Sequence, residues 1–211
     1  VNIKGNTLFL GDSMSVALAP AVSVDGTKRT IAQVSKTSAW LKSQVTPADF
    51  QGVDNVFLLI GANDIGQANP GITLSNIAAI RAMAPPSVKF FVMTIPPFKG
   101  WKNYESQYST INARRLEVNK GIRSTYGTSV VDLDKLLASP SDPEALASFA
   151  DSGDHLHPRP KSIAAAIEST VSHQPPTPTK AQIASESPSG LGTALVISGV
   201  SLLFYLATRR K

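Results

Sequence analysis

Short apolar runs rich in β-branched and aromatic residues recur at residues 7–10, 29–34, 56–60, 88–94 and 129–133. Their length and composition predict buried strands. Between them the apolar positions change to helical spacing. Residues 74–83 carry Leu74, Ile77, Ala78, Ile80 and Ala82, and Pro85 and Pro86 close the stretch. Residues 111–126 space Ile111, Leu116, Val118 and Ile122 with charges between, and Gly127 marks a stop. Residues 160–171 open on Pro160 and continue with an Ala/Ile face. In "TLFLGDSMSVALAP" (residues 7–20) strand-type residues give way to helix-friendly Met, Val, Ala and Leu across Gly11, Asp12 and Ser13. Strand alternating with helix predicts an α/β domain with a parallel sheet covered on both faces. Ligands bind at the carboxyl ends of the strands in such sheets. No internal repeat is visible.

The pattern stops near residue 172. Residues 173–189 are rich in Pro, Ser and Thr and read as an extended linker, because they cannot bury enough apolar surface to offset chain ordering. Residues 190–208, "GLGTALVISGVSLLFYLAT", carry no charge. As a helix they would span roughly 28 Å, close to the ~30 Å of a hydrocarbon core. Tyr205 sits near their end and the basic tail Arg209, Arg210 and Lys211 follows, which is the pattern of a transmembrane helix meeting lipid headgroups. The expected organisation is a domain at 1–172, a linker at 173–189, a single-pass membrane anchor at 190–208 and a basic tail at 209–211. The positive-inside rule puts the large domain on the extracytoplasmic side. No apolar signal segment opens the chain and its first residue is Val, so removal of an amino-terminal piece and tail anchoring both stay open.

The chain has 211 residues and a net charge of +5, of which Arg209, Arg210 and Lys211 supply three. That balance, with no basic stripe interleaved with aromatics, excludes a nucleic-acid surface. The absence of cysteine excludes a disulfide scaffold, a thiolate metal site and a cysteine nucleophile.

Polar residues gather where the predicted strands end. The first run ends on Gly11, Asp12 and Ser13. The third ends in "LLIGANDIG", which brings out Gly61, Asn63 and Asp64. The last helix is preceded by "DSGDHLHPRP", with Asp154, His155 and His157 on one loop. A serine, an asparagine and an Asp–His pair from separate segments converge on one rim. Nucleophilic catalysis needs this set: a hydroxyl, a base beside it, a carboxylate to fix the base, and donors for an oxyanion.

"FLGDSMS", "IGANDI" and "DHLHP" resemble blocks I, III and V of the SGNH (GDSL-type) hydrolases, in order, over about residues 5–172. The resemblance implies a flavodoxin-like three-layer α/β/α sandwich with a parallel five-stranded sheet. It implies Ser13 as nucleophile, Asp154 and His157 as its partners, and Asn63 as a side-chain oxyanion donor. In the second block, "QVSKTSAW" sets Ser35 or Lys36 where the family has glycine. A backbone N–H survives that exchange, so the expected oxyanion donors are Asn63, the Ser13 N–H and the Ser35 N–H. The nucleophile is not set in G-x-S-x-G, which separates the chain from the α/β-hydrolases.

Each residue also has a plainer reading. Ser13 could cap a helix, and Asp12 would organise the turn by accepting backbone N–H groups. Asn63 could be a turn former and Asp64 a support for its loop. Asp154 and His157 lie three apart, so one turn can face them together, whereas His155 adjoins Asp154 and points elsewhere. Asp151 is the alternative carboxylate. Helical i, i+4 histidines and a second ligand cluster are missing, so neither metal nor cofactor is expected. Trp101, Tyr104 and Tyr108 either line a cleft or pack over the sheet edge. The resemblance implies hydrolysis of acyl or acetyl esters of a carbohydrate, lipid or cell-envelope polymer, and the expected partner of the anchor is membrane lipid. A non-catalytic carbohydrate- or envelope-binding module, a structural membrane or virion component, and an acyltransferase are the alternatives.

Overall fold

The computed structural model describes residues 2–67 and 69–172. The amino-terminal half runs β1 (Ile3–Lys4), β2 (Thr7–Gly11), α1 (Ser13–Ala21), β3 (Val24–Asp25), β4 (Lys28–Ala32), α2 (Ser38–Gln44) and β5 (Asn55–Leu59). It continues with α3 (Pro70–Met83), β6 (Lys89–Met93), α4 (Tyr108–Tyr126), β7 (Val130–Val131), α5 (Leu133–Leu136) and α6 (Pro160–Ser172). Five strands form one sheet in the order β4-β2-β5-β6-β7, and β1 pairs with β3 separately. Every pairing between these strands is parallel. The sequence therefore folds as the alternation predicts, with the carboxyl ends of the five main-sheet strands at one edge.

Side-chain alternation along the strands builds the layers. Leu8, Leu10, Val56, Leu58, Phe90 and Val92 pack against Leu41 of α2, Ile77 and Ile80 of α3, and Ile111, Val118 and Ile122 of α4. Phe9, Phe57, Leu59, Phe91 and Met93 face Leu18 of α1 and Ile163 and Ile167 of α6. Phe9, Phe57 and Phe91 lie in register on three neighbouring strands, their ring centroids 5.6 and 5.0 Å apart.

The two edges depart from the sequence reading. Residues 29–34, expected to be a buried strand, give β4 at Lys28–Ala32 with Lys28, Arg29 and Thr30 exposed. An edge strand has a free flank, and charged side chains there discourage pairing with another chain. Residues 129–133 yield only Val130 and Val131 as strand. The ladder ends because Asp132 turns away, its carboxylate taking Arg123 Nε at 2.9 Å, Arg123 Nη2 at 2.6 Å and Thr94 Oγ1 at 3.1 Å. Helix α2 is not legible in the apolar pattern, because its buried residues are Ser38 and Leu41, and one buried apolar side chain among seven residues shows no helical period. The anticipated linker and membrane anchor lie outside the described residues. Among the described residues no helix is long and apolar enough to cross a membrane.

The turn after β2 needs glycine. Gly11 has φ +154, and a Cβ there would collide with the Leu59 carbonyl oxygen and Ser15 Oγ. Asp12, not Ser13, is the N-cap of α1: its Oδ1 accepts Met14 N–H at 3.0 Å, so Ser13 becomes the first helical residue. Asp12 is 1 % exposed and its Oδ2 has no hydrogen-bond partner among the described residues. Burial, opposed by the Met14 N–H, pushes its carboxyl up to about 7.

Helix α4 secures the other half of the sheet edge. Asn119 Oδ1 accepts Ile95 N–H and its Nδ2 donates to Ile95 O, both at 2.8 Å. Arg115, 1 % exposed, pairs with Asp134 and donates from Nε to Asn112 Oδ1 at 2.8 Å. Arg123 Nη2 meets the other Asp134 oxygen at 2.6 Å.

Two outcomes follow. Asp134→Ala strands a buried guanidinium and is expected to cost about 3–5 kcal/mol in urea unfolding, whereas replacing Arg115 and Asp134 together by Met and Leu costs much less. Folded Asp12 holds its proton more tightly than the unfolded chain does, so its contribution favours folding at low pH and is lost as pH rises from about 4 through about 7. Asp12→Asn keeps a good cap. Its stability relative to wild type is expected to rise across that window and level off above it, measured by urea unfolding at pH 5 and pH 8.

Candidate active site

Three connections place polar groups at the carboxyl edge of the sheet: β2 to α1, β5 to α3, and the loop before α6. Ser13 opens α1, half-buried. His157 stands 144 residues away in sequence, and its Nε2 lies 3.1 Å from Ser13 Oγ. His157 Nδ1 lies 2.6 Å from Asp154 Oδ2. Paired with a carboxylate at Nδ1, the imidazole carries its proton there and offers the Nε2 lone pair to the hydroxyl. Both distances fall in hydrogen-bond range and the order is hydroxyl, imidazole, carboxylate. The structure thus brings together Ser13, His157 and Asp154, the three residues that the resembling sequence blocks imply.

Asp154 is fixed from several sides. Its Oδ1 accepts His157 N–H at 2.8 Å, Leu156 N–H at 3.0 Å and Ser152 Oγ at 3.1 Å. Partial burial pushes this carboxyl up, but the His157 ring and the His157 and Leu156 N–H groups outweigh it and hold the group well below the usual carboxylate range. Asp154 is therefore held as a carboxylate at neutral pH. The His157 and Asp154 side chains are 39 % and 47 % exposed, so water reaches the imidazole.

The donor side is assembled by two loops. Ser35 has φ +62, the left-handed conformation in which glycine is at ease. The backbone thus keeps the shape of a glycine turn with a serine in it. Ser13 and Ser35 N–H donate to no acceptor among the described residues. Asn63 Nδ2 donates one hydrogen to Lys36 O at 3.0 Å, which orients the amide and leaves its second hydrogen uncommitted among the described residues. Asp64, 2 % exposed, supports these loops: it accepts Ser38 N at 2.9 Å, Ser38 Oγ at 2.5 Å and Thr73 Oγ1 at 3.4 Å. Asn76 Nδ2 adds a bond to Ser38 Oγ at 3.0 Å. Ser38 and Asn76 were not singled out in the sequence, where nothing but their polarity marks them.

The remaining candidates separate. Asp151 does not reach His157; its Oδ2 meets His155 Nδ1 at 2.5 Å. Trp101, Tyr104 and Tyr108 are half-buried and pack around Phe98, with Trp101–Tyr104, Phe98–Tyr108 and Phe98–Tyr104 centroids 4.3, 5.4 and 6.3 Å apart. Tyr108 OH donates to Glu144 Oε2 at 3.3 Å. These contacts favour packing over the sheet edge. Among the described residues no group of three or more His, Cys, Asp or Glu could hold a metal ion.

No family model matches the chain, and no curated protein matches it in sequence. Solved structures do match in fold. A GDSL-like lipase from Bacteroides thetaiotaomicron superposes with a TM-score of 0.61 at 13 % identity, covering 80 % of this chain and 86 % of that one. A member of the lipolytic protein G-D-S-L family from Veillonella parvula gives 0.59 at 13 % identity, covering 80 % and 99 %. The catalytic domain of a peptidoglycan O-acetyltransferase from Streptococcus pneumoniae gives 0.50 at 18 % identity, covering 81 % and 93 %. The described domain of this chain has the α/β fold of the GDSL-type lipases and acylhydrolases, the fold that its sequence blocks imply.

Proposed function

We propose that the chain is a serine hydrolase of the SGNH type that cleaves carboxylic esters. The observation that carries this reading is the continuous relay from Ser13 Oγ to His157 to Asp154. Ser13 Oγ attacks the ester carbonyl carbon while its proton passes to His157 Nε2. The carbonyl oxygen becomes an oxyanion, held by the Asn63 amide and the Ser13 and Ser35 N–H groups. Asp154 balances the imidazolium. Collapse of the tetrahedral species breaks the bond to the alkoxy oxygen, which takes the proton from His157 and leaves as alcohol. Water, deprotonated by the same imidazole, then attacks the acyl-serine and releases the acid. No cofactor enters these steps.

Transfer of the acyl group to a sugar hydroxyl uses the same relay, and the fold shared with an O-acetyltransferase domain supports that second reading. The open setting of His157 and Asp154 favours hydrolysis, because water competes freely for the acyl-serine. The uncharged stretch at residues 190–208, followed by Arg209, Arg210 and Lys211, supports a domain tethered to a membrane on its extracytoplasmic side. An acyl or acetyl ester of a glycan, lipid or envelope polymer is a fitting substrate for such a tether.

The full chain in an alkyl maltoside detergent is expected to hydrolyse 4-nitrophenyl acetate or butyrate. Ser13→Ala is expected to lower kcat by about 10⁴-fold or more. A folded wild type without turnover, or a Ser13→Ala variant that keeps it, contradicts the reading. Ser35→Pro removes an N–H and cannot adopt φ +62, so kcat is expected to fall about 10²–10³-fold. Ser35→Gly is expected to stay within a few-fold of wild type; equal rates for both variants would remove Ser35 from the oxyanion site.

A further inference from the structure

The loop that carries His157 contains a second histidine–carboxylate pair that the relay does not use. Asp151 Oδ1 accepts Gly153 N–H at 2.8 Å and His155 N–H at 3.1 Å, and its Oδ2 meets His155 Nδ1 at 2.5 Å. Asp154 in turn gathers the N–H groups of Leu156 and His157. The two turns interlock at His155, which sits at φ +60. A non-glycine residue in that region is costly, although His tolerates it better than most. The ring offsets the cost with two contacts, one to Asp151 and one to Gly100. Gly100 itself has φ +97, and a Cβ on it would stand 3.3 Å from His155 Cγ and 3.4 Å from His155 Cβ, so the ring lies directly against that backbone.

The contact continues beyond Gly100. Trp101 N–H bonds Phe98 O at 3.1 Å, the Trp101 ring meets Tyr104 edge-on, and the Tyr104 hydroxyl lies against Gly66. Gly66 belongs to the connection that carries Asn63. The base-bearing loop and the oxyanion-side loop are thus joined through one run of packed groups. His157 itself is 39 % exposed, and its side-chain hydrogen-bond partners among the described residues are Ser13 and Asp154. Its location therefore depends on what holds the loop.

We propose that His155 and Asp151 are positioning residues: their pair locks the left-handed turn before His157 and braces it against Gly100, keeping the imidazole at Ser13. This rests on the hydrolase reading above, and its test includes a measurement independent of turnover. His155→Gly keeps the backbone freedom for φ +60 but loses both ring contacts. His155→Asn also tolerates that φ, and its amide can still donate to Asp151. In the full chain, His155→Gly is expected to lower kcat for 4-nitrophenyl butyrate about 10- to 100-fold, the scale of a displacement near 1 Å. KM should stay within about twofold, because no substrate contact is lost. His155→Asn should recover much of the rate. His155→Gly combined with Asp151→Asn should be no slower than His155→Gly alone, since both break one pair.

The activity-independent readout is the low-field proton resonance of the His157 Nδ1–Asp154 bond. It should be sharp in wild type, broadened in His155→Gly and restored in His155→Asn. Wild-type kcat with an unaltered resonance in His155→Gly would overturn the proposal. So would a rise in KM at constant kcat, or a loss that Asn does not rescue. An inactive wild type with the expected resonance changes would refute the hydrolase reading and leave the brace standing.

Discussion

The hydrogen bond between Ser13 and His157 spans 144 positions of sequence, and it forms because every strand of the main sheet points the same way. Parallel strands deliver all their carboxyl ends to one edge. β2 delivers Ser13 there, β5 delivers Asn63, and the chain returns to the same edge before α6 with Asp154 and His157. Apolar layers pack against both faces of the sheet behind that edge. Phe9, Phe57 and Phe91 stack across the three central strands, so the carboxyl ends of β2 and β5 are held in fixed register.

Around this frame, the polar residues that do not react position those that would. Gly11 lets the chain leave β2 beneath the Leu59 carbonyl, and Asp12 caps α1 so that Ser13 stands at its first turn. Asp64 joins the connection after β4 to the one after β5 through Ser38. Asn119 and Arg115 satisfy the peptide groups of Ile95 where β6 ends. In each case a buried side chain answers a backbone group that would otherwise be unpaired at the sheet edge. Asp12 does this with one oxygen only: among the described residues its other oxygen is buried without a partner, beside the proposed nucleophile, at a cost to stability that grows as the carboxyl ionises.

Central strands were legible in the sequence because burial on both faces demands unbroken apolar runs, as at residues 56–60. The edge strands were legible as strands, but their bounds and burial were not, because an edge strand such as Lys28–Ala32 needs apolar residues on little of its surface. Helix α2 was missed because seven residues are too few to establish a period. The Ser13, His157 and Asp154 cluster was legible through the resemblance of three sequence blocks, helped by local spacing: Asp154 and His157 fall within one turn, and Ser13 follows an apolar strand. The support was not. That Asp12 rather than Ser13 caps α1, that Ser35 holds a glycine conformation, and that Asp151 serves His155 are matters of backbone angle and burial. No residue pattern encodes those directly.

The central claim is that His157 activates Ser13. Its most direct measurement is peptide mass mapping after treating the full chain with a fluorophosphonate, compared with a His157→Ala variant shown to be folded. The expected result is one phosphonyl adduct in wild type, on Ser13, and almost none in the variant although the serine is still present. An adduct on another residue, or undiminished labelling of Ser13 without the imidazole, would contradict the account.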